Sequence, residues 1–568
     1  MREVREASAG VGCFIKRGFP RHGQMGEAKL PQVIEYPKIE EMTTEDLIKW
    51  LTQGGLFLLA VFLGVFIAPD NPVLVLGICG GAFAVLFLGR MGRRMWILYP
   101  LSAGFSGAIN LIPGGLSPFQ VVSLLLAAMC LYFLKADPEF RIQLGPAWIF
   151  WPLGLFNLIL VYNWIKGRDL GLNLLGSRMV NGKGYIECIV PFIGYVAAIS
   201  IRKPDPFHDR MVPLYVLGGY VVDTIIFAIS TIFPFISPHL FQFYSNVNIE
   251  AFEAVGVSQT AAISQDFVLR FGASGVLAFI MLAALQSYLP YARWLALPNI
   301  IVGPFFLLLS LFFSLISGFR NTLAKLILIG LIGLWQSFRI YSFLLLFPVV
   351  AGLGLLLLAQ GNLFKLPPAI QRTLTWLPGD WDPAVKNATE GSSKFRKSLR
   401  RVYFSEFFRK ENFLGEGYLY DRDELLYSQE KFWRQVGYTR EMDEDESLRG
   451  FIIRRSHHEG ILNVHHITGH VGTLVWISFG FLVLVNCLPF ILLQPVTPET
   501  STAQFGAVLM AISIISFWFL FGSLRYTITE FVAFAFCYYV GLQKVRVPLA
   551  HPAEPVGPSH PARAVDPS

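Results

Sequence analysis

From residue 51 to residue 360 the apolar residues run in blocks long enough to cross a bilayer, separated by short polar gaps. A membrane-spanning helix needs about 20 mostly apolar residues. By that measure spans are predicted near 51–68, 72–89, 96–113, 118–135, 147–166, 184–201, 211–236, 271–290, 296–318, 322–338, 341–360, 471–494, 504–524 and 526–542. The last two read either as one hairpin or as one broken helix, so the pattern predicts 12–14 transmembrane helices. The blocks are continuous rather than alternating, which selects helices over a membrane β-barrel.

One long polar segment interrupts this pattern, from 361 to 470. A connection of that length is functional or disordered more often than it is a passive tie. Trp376, Trp381, Phe395, Tyr403, Phe404, Phe407, Phe408 and Trp433 argue that it folds, because disordered linkers are poor in aromatics. The predicted organisation is a tail over 1–46, a transmembrane region over 47–360, the polar loop over 361–470, a second transmembrane region over 471–542 and a disordered, Pro/Ala-rich tail over 543–568.

Composition agrees with the pattern: of 568 residues 54% are hydrophobic and only 15% charged, with a mean hydropathy of +0.52. The positive charges set the orientation. Arg90, Arg93, Arg94, Lys135, Arg141, Arg202, Lys203, Arg210, Arg293, Arg339, Lys544 and Arg546 fall in gaps of one parity, and Arg168, Arg178 and Lys183 dissent. Short loops rich in Lys and Arg stay in the cytoplasm. Both termini are therefore expected inside and 361–470 outside, in a multi-pass protein of the cytoplasmic (inner) membrane. The net charge of +7 is what such loops give, and no nucleic-acid partner is read into it. The six cysteines form no disulfide framework and no CxxC metal pair.

Ionisable groups within spans cost about 2.5–3.5 kcal/mol each at the bilayer centre on insertion scales, so each needs a reason. Asp223 reads equally as a functional group or as a hydrogen bond between helices, and Lys325 as a side chain snorkelling to the outer interface. Three further residues fall on the outer side by the charge parity: Arg320 in LISGFRNTLAKL, Arg396 in GSSKFRKSL and His458 in SHHEGIL. Alone, each arginine reads as a headgroup contact or a solvated helix face. Five of the ten histidines lie between His457 and His470. His466 and His470 have the four-residue spacing of a metal pair, but Glu459 would have to complete the set and no cysteine is near. No metal and no cofactor are expected.

Taken in order, these residues resemble the O-antigen ligase and O-antigen polymerase superfamily of bacterial envelope glycosyltransferases. The likeness covers most of the membrane region and is sharpest from about Leu315 to Gly480. A small-residue-plus-Arg motif opens a span at SGFRNTLAKL with Arg320. A second Arg starts an outer helix at SSKFRKSL with Arg396, followed by the Gly-x-Gly of FLGEGY at Gly415 and Gly417. A His precedes a Gly-punctuated helix in HHEGILNVHHITGHVG, with His458, Leu462 and Gly472. LPPAIQRTLTWLPGDWDP is similar to one branch of the superfamily. Where that family commonly has Asn after the His, this chain has Glu459, and a shift of one residue would give His457 the family role.

The resemblance implies an all-α integral membrane protein with a large helical extracytoplasmic loop, GT-C-like in architecture. It implies a metal-independent transfer of a polyprenyl-pyrophosphate-linked glycan to an acceptor hydroxyl on a glycan or lipid, in lipopolysaccharide or other envelope polysaccharide synthesis. Arg320 and Arg396 would bind the pyrophosphate and His458 would be the catalytic base. Arginine forks suit pyrophosphate oxygens, and an unperturbed histidine accepts a proton near neutrality. The chain holds no Walker motif, no GxGxxG after a strand and no DxD dyad in the loop. The rival expectation is a transporter or flippase of lipid-linked or anionic substrates, for which broken helices and repeated halves would be the signature. A receptor or scaffold would leave the loop without convergent polar groups.

Overall fold

The computed structural model describes residues 91–110, 115–167, 179–247, 271–294, 296, 299–408, 413–421, 444–455, 457, 459–519 and 522–546. All of them belong to one compact unit, Leu86–Ser568. The spans expected at 51–68 and 72–89 lie outside the described residues.

A 3-10 turn, Gly92–Ile97, leads into α1 (Leu98–Ser102), followed by α2 (Pro118–Ala136), α3 (Ala147–Lys166), β1 (Met179–Val180), α4 (Lys183–Ile201), α5 (Pro206–Ile232) and α6 (Ser237–Phe243). Next come α7 (Gly272–Tyr288), α8 (Asn299–Ile316), α9 (Arg320–Phe338) and α10 (Ser342–Ala359). The polar segment supplies α11 (Pro368–Leu374), α12 (Pro383–Val402), β2 (Tyr420–Asp421) and α13 (Glu444–Ile453). The chain closes with α14 (Gly460–Leu493), α15 (Ser501–Phe519) and α16 (Leu524–Arg546). Among the described residues, eight helices are long and apolar enough to cross a membrane, and α7 is a shorter apolar helix. This makes the chain a helical protein built to span a membrane several times.

Local signals place the helix starts. Ser117 and Gln120 form a reciprocal capping box at α2, with Pro118 at its first position. Asp205 caps α5 through the N–H groups of Phe207 and His208, which moves that helix start well upstream of the apolar run from 211. At the centre, α15 is buried along almost its whole length and pairs with α16 as a hairpin. Glycines allow the approach: a Cβ on Gly506 would lie 2.3 Å from the Tyr538 nitrogen, and one on Gly541 would lie 2.1 Å from the Ala503 nitrogen. Toward the periphery the rule inverts. Leu344 and Phe347 of α10 are 71% and 76% exposed, as suits a helix whose solvent is lipid.

The expected span at 96–113 is corrected. The helix ends at Ser102, and past its C-cap Ala103 the chain runs as turn and irregular backbone to Asn110, while 111–113 lie outside the described residues. Gly104 rests on Gly219 of α5, where a Cβ would come within 2.2 Å of the Gly219 carbonyl carbon. Within this run Ala103, Gly104 and Gly107 are buried, Gly104 against α5 and Gly107 against Tyr244, and an apolar count cannot separate such burial from facing lipid. Lys325 does not snorkel: its Nζ lies 3.9 Å from Glu530 Oε2 and 4.7 Å from the Phe279 ring centroid. Asp223 is a structural acceptor, taking hydrogen bonds from Ser106 (2.8 Å), Asn246 (2.9 Å) and the Tyr244 hydroxyl.

Hydrogen bonds between distant elements sort the helix ends into two faces. At one, Asn163 donates to Ile467, Asn181 to Tyr418 and Ser516 to Asn321. At the other, Arg202 pairs with Asp209 (2.6 Å), Tyr288 donates to the Arg210 carbonyl, and Arg339 binds the Leu492 and Leu493 carbonyls. The polar segment lies on the first face, and Arg202, Arg210 and Arg339 on the second.

Candidate functional site

The loop-bearing face gathers a cluster of arginines around one carboxylate. Its first member is set by the reversal between α8 and α9. Gly318 has φ +70°, a left-handed turn that glycine adopts without strain. Ser317 Oγ accepts from the Phe319 N–H (3.3 Å) and bonds Thr322 Oγ1 (3.0 Å). Arg320 is thus the first residue of α9, and its Nε donates to the Arg372 carbonyl of α11 (3.4 Å).

The run from Leu366 to Pro383 is a strap that carries this position to the next arginine. Gln371 donates to the Leu366 carbonyl (2.7 Å) and accepts from the Asp382 N–H (3.0 Å). Asp382 in turn caps α12 at the Ala384 N–H (2.9 Å). Trp381 is buried and donates Nε1 to the Leu377 carbonyl (2.9 Å). The inner side of α12, Leu399 and Val402, packs with Tyr403, with Leu448 and Ile452 of α13 and with Leu462 of α14. Arg396 and Arg400, one turn apart, share another side of α12. Arg396 is half-buried and its charge acts on Arg320.

Glu459 faces this cluster. Its Oε1 lies 2.7 Å from Arg400 Nε, and Arg396 also acts on it electrostatically. Removal from water raises the Glu459 carboxyl above the usual carboxylate range, against the pull of Arg400 and Arg396. The turn that presents Glu459 is locked. Asn463 donates to the Arg455 carbonyl (2.9 Å), accepts from the Leu524 N–H (3.0 Å), and its own N–H reaches the Glu459 carbonyl (3.0 Å). Gly460 rests on α15, where a Cβ would lie 2.3 Å from the Phe517 carbonyl oxygen.

Behind the cluster the expected Gly-x-Gly turn is real and has a partner. α14 breaks at Gly469, whose φ of 64° and ψ of −163° interrupt the helix. The break leaves carbonyls without helical partners, and the turn supplies donors: Glu416 N–H to His466 (3.1 Å) and Gly417 N–H to Ile467 (2.9 Å). Gly415 and Gly417 have φ of 78° and 76°. Arg455 clamps the arrangement by donating to the Gly417 (3.1 Å) and Leu419 (3.4 Å) carbonyls and pairing with Glu416 (2.9 Å).

The histidines divide into two chains. Arg455 donates to His466 Nε2, and His466 Nδ1 lies 2.7 Å from His457 Nε2. A guanidinium only donates. The Arg455 contact to His466 Nε2 is closer than that of the same nitrogen to Glu416 Oε2 (3.3 Å), so His466 Nε2 accepts from Arg455, its Nδ1 carries the proton, and His457 Nε2 accepts in turn. In the second chain His465 bonds Tyr403 at Nδ1 (2.7 Å) and His470 at Nε2 (3.0 Å). His466 and His470 thus serve different chains, because the break at Gly469 destroys the helical register that would have faced them together. Among the described residues no group of three or more His, Cys, Asp or Glu side chains is placed to hold a metal ion.

Of the predicted site residues, Arg320 and Arg396 are brought within electrostatic reach of each other. His458 lies outside the described residues. Its neighbours diverge, with His457 turned into the buried chain and Glu459 toward the arginines. Sequence reasoning missed Arg400, although its four-residue spacing from Arg396 was a visible signal. Arg455, Glu416 and Tyr403 carried no such signal, since their partners are remote in sequence. No family model matches the chain, and no curated protein matches it.

Proposed function

We propose that this protein is a glycosyltransferase of the O-antigen ligase or polymerase type, moving a polyprenyl-pyrophosphate-linked glycan onto an acceptor hydroxyl outside the cytoplasmic membrane. The observation that supports it is the approach of Arg320 and Arg396, carried by separate elements at the end of the helices, to within electrostatic reach of each other. Two half-buried guanidinium groups held near one another repel, and a multivalent anion is attracted to both. A pyrophosphate at the membrane boundary is such an anion. The charge parity of the short loops puts this face outside, where no nucleotide sugar is available and the bond energy must arrive with the lipid carrier.

In the reaction the acceptor oxygen attacks the anomeric carbon, and the bond from that carbon to the pyrophosphate oxygen breaks with its electron pair. The anomeric carbon gains oxocarbenium character while the departing lipid pyrophosphate gains negative charge. Arg320 and Arg396 meet that charge with fixed donors, each worth about 3–4 kcal/mol where water is excluded. The acceptor proton passes to a base on the short segment that ends at Glu459, where the resemblance nominates His458.

The test uses purified protein in liposomes carrying a lipid-linked glycan donor. Arg320→Ala and Arg396→Ala should each lower transfer by about 10²–10³-fold in protein that remains folded, and Lys should rescue poorly because a point charge lacks the fork. Longer lipid-linked chains from donor alone identify a polymerase, and dependence on a separate acceptor identifies a ligase. Movement of intact donor across the bilayer without release of polyprenyl pyrophosphate would replace this reading with a transporter.

A further inference from the structure

From the geometry of the arginine cluster we infer that Glu459 is a catalytic carboxylate, the base that takes the proton from the acceptor hydroxyl. This rests on the transferase reading and assigns within it a role that neither the charge pattern nor the resemblance gives to this residue. Glu459 occupies the N-cap of α14 yet makes no capping hydrogen bond with its side chain. The carboxylate is turned instead toward α12, where Oε1 meets Arg400 Nε at 2.7 Å. Oε2 makes no hydrogen bond among the described residues. One oxygen is thus anchored and the other is available beside Arg396, which itself acts on Arg320.

Position and rigidity fit the role. Asn463 ties the turn to the Leu524 N–H of α16 and Gly460 packs it on Phe517 of α15, so the carboxylate is presented from a fixed backbone at the boundary of the spans. The nearest histidine with described contacts does not compete. His457 Nε2 is occupied by the His466 proton, so the lone pair a base would need is already used. The charged groups acting on Glu459 are Arg400 and Arg396, both from α12. On its own side of the turn Arg455 is committed to Glu416, His466 and the Gly417 and Leu419 carbonyls, and Gly460 meets α15 at Phe517. A carboxyl lifted by partial burial is a better base than an exposed one, and the two cations favour its ionised form.

The step balances as follows. The acceptor O–H proton goes to Glu459 Oε2, the acceptor oxygen forms the bond to the anomeric carbon, and the glycan leaves polyprenyl pyrophosphate, which keeps the bonding electrons beside Arg320 and Arg396. Glu459 returns its proton to water after the product leaves.

The experiment compares wild type, Glu459→Gln, Arg400→Ala and His458→Ala in liposomes, reading donor binding by tryptophan fluorescence and transfer by release of polyprenyl pyrophosphate. Glu459→Gln should bind donor with unchanged affinity and lose about 10²–10⁴-fold in transfer. The acid limb of the wild-type rate profile should move to higher pH in Arg400→Ala, because a cation that favours the carboxylate is gone. A merely structural ion pair would not move that limb. Transfer within tenfold of wild type in Glu459→Gln, or a loss confined to His458→Ala, overturns the assignment. Wild type that binds the donor and never releases polyprenyl pyrophosphate overturns the transferase reading and this role with it.

Discussion

Arg455 offers the sharpest test of how the loop is held. Its side chain is 7% exposed, and it serves the Gly417 and Leu419 carbonyls, Glu416 and His466. Arg455→Ala strands two carbonyls, while His466 Nε2, 3.3 Å from Glu416 Oε2, can change tautomer and donate there. A buried acceptor without a donor costs about 1–3 kcal/mol, and the 3.4 Å contact to Leu419 belongs at the low end. Glu416 is 34% exposed and rehydrates, so its lost pair adds little. The expected destabilisation is about 2–4 kcal/mol. The backbone of Arg455 sits at φ +59°, a conformation that costs an L residue about 1–2 kcal/mol. Arg455→Gly loses the same contacts but relieves that strain, less the extra chain entropy glycine brings. Thermal unfolding in detergent at one scan rate should therefore order the proteins wild type, then Arg455→Gly, then Arg455→Ala. Equal midpoints for wild type and Arg455→Ala would refute the clamp, and Arg455→Ala above Arg455→Gly would refute the strain.

Gly417→Ala should fold poorly, because its Cβ would lie 2.0 Å from the Tyr185 hydroxyl at φ +76°; low yield of monodisperse protein is the readout, and normal yield would show that the turn yields. A cysteine in place of exposed Ser393 should react with a membrane-impermeant thiol reagent on cells with a permeable outer envelope, while one in place of exposed Lys203 should not; the reverse pattern inverts the orientation. Glu459→Gln carries a pH signature in stability. The folded carboxyl, lifted by burial, holds its proton more tightly than the unfolded one, so wild-type stability falls as pH rises from the ordinary carboxylate range through the raised folded value. The glutamine variant should match wild type below that window and exceed it above, and a constant difference at all pH values would remove the linkage.

Hydropathy located α3 and α4 to within a residue, because in a membrane the length of an apolar block is itself the structural constraint. It failed past Ala103, where the chain is partly buried against α5 and not helical, and it missed the turns of α14 that precede the break at Gly469. There the expected span began at 471, whereas the helix begins at Gly460 and carries His465 and His466. Those polar residues hid the helix from an apolar count, and they are tolerated because each ring finds a partner within the fold. Arg320 and Arg396 were singled out only through the order of short motifs, since alone each reads as a headgroup contact or a solvated helix face. Glu459 was legible only as a departure from a motif, and its meaning came from α12, a partner distant in sequence that no local pattern names.

The interruption at Gly469 bears on how the molecule is made. Its two unpaired carbonyls, at His466 and Ile467, would each cost several kcal/mol if they entered the apolar layer bare. Their donors, Glu416 and Gly417, with Asn163 as a second donor to Ile467, lie earlier in the chain and leave the ribosome first. Assembly of this helix is thus completed against a template already translated, and the polar segment is a condition for assembling the helix that follows it. A deletion of the Gly-x-Gly turn should accordingly show itself as defective insertion downstream, before any question of catalysis arises.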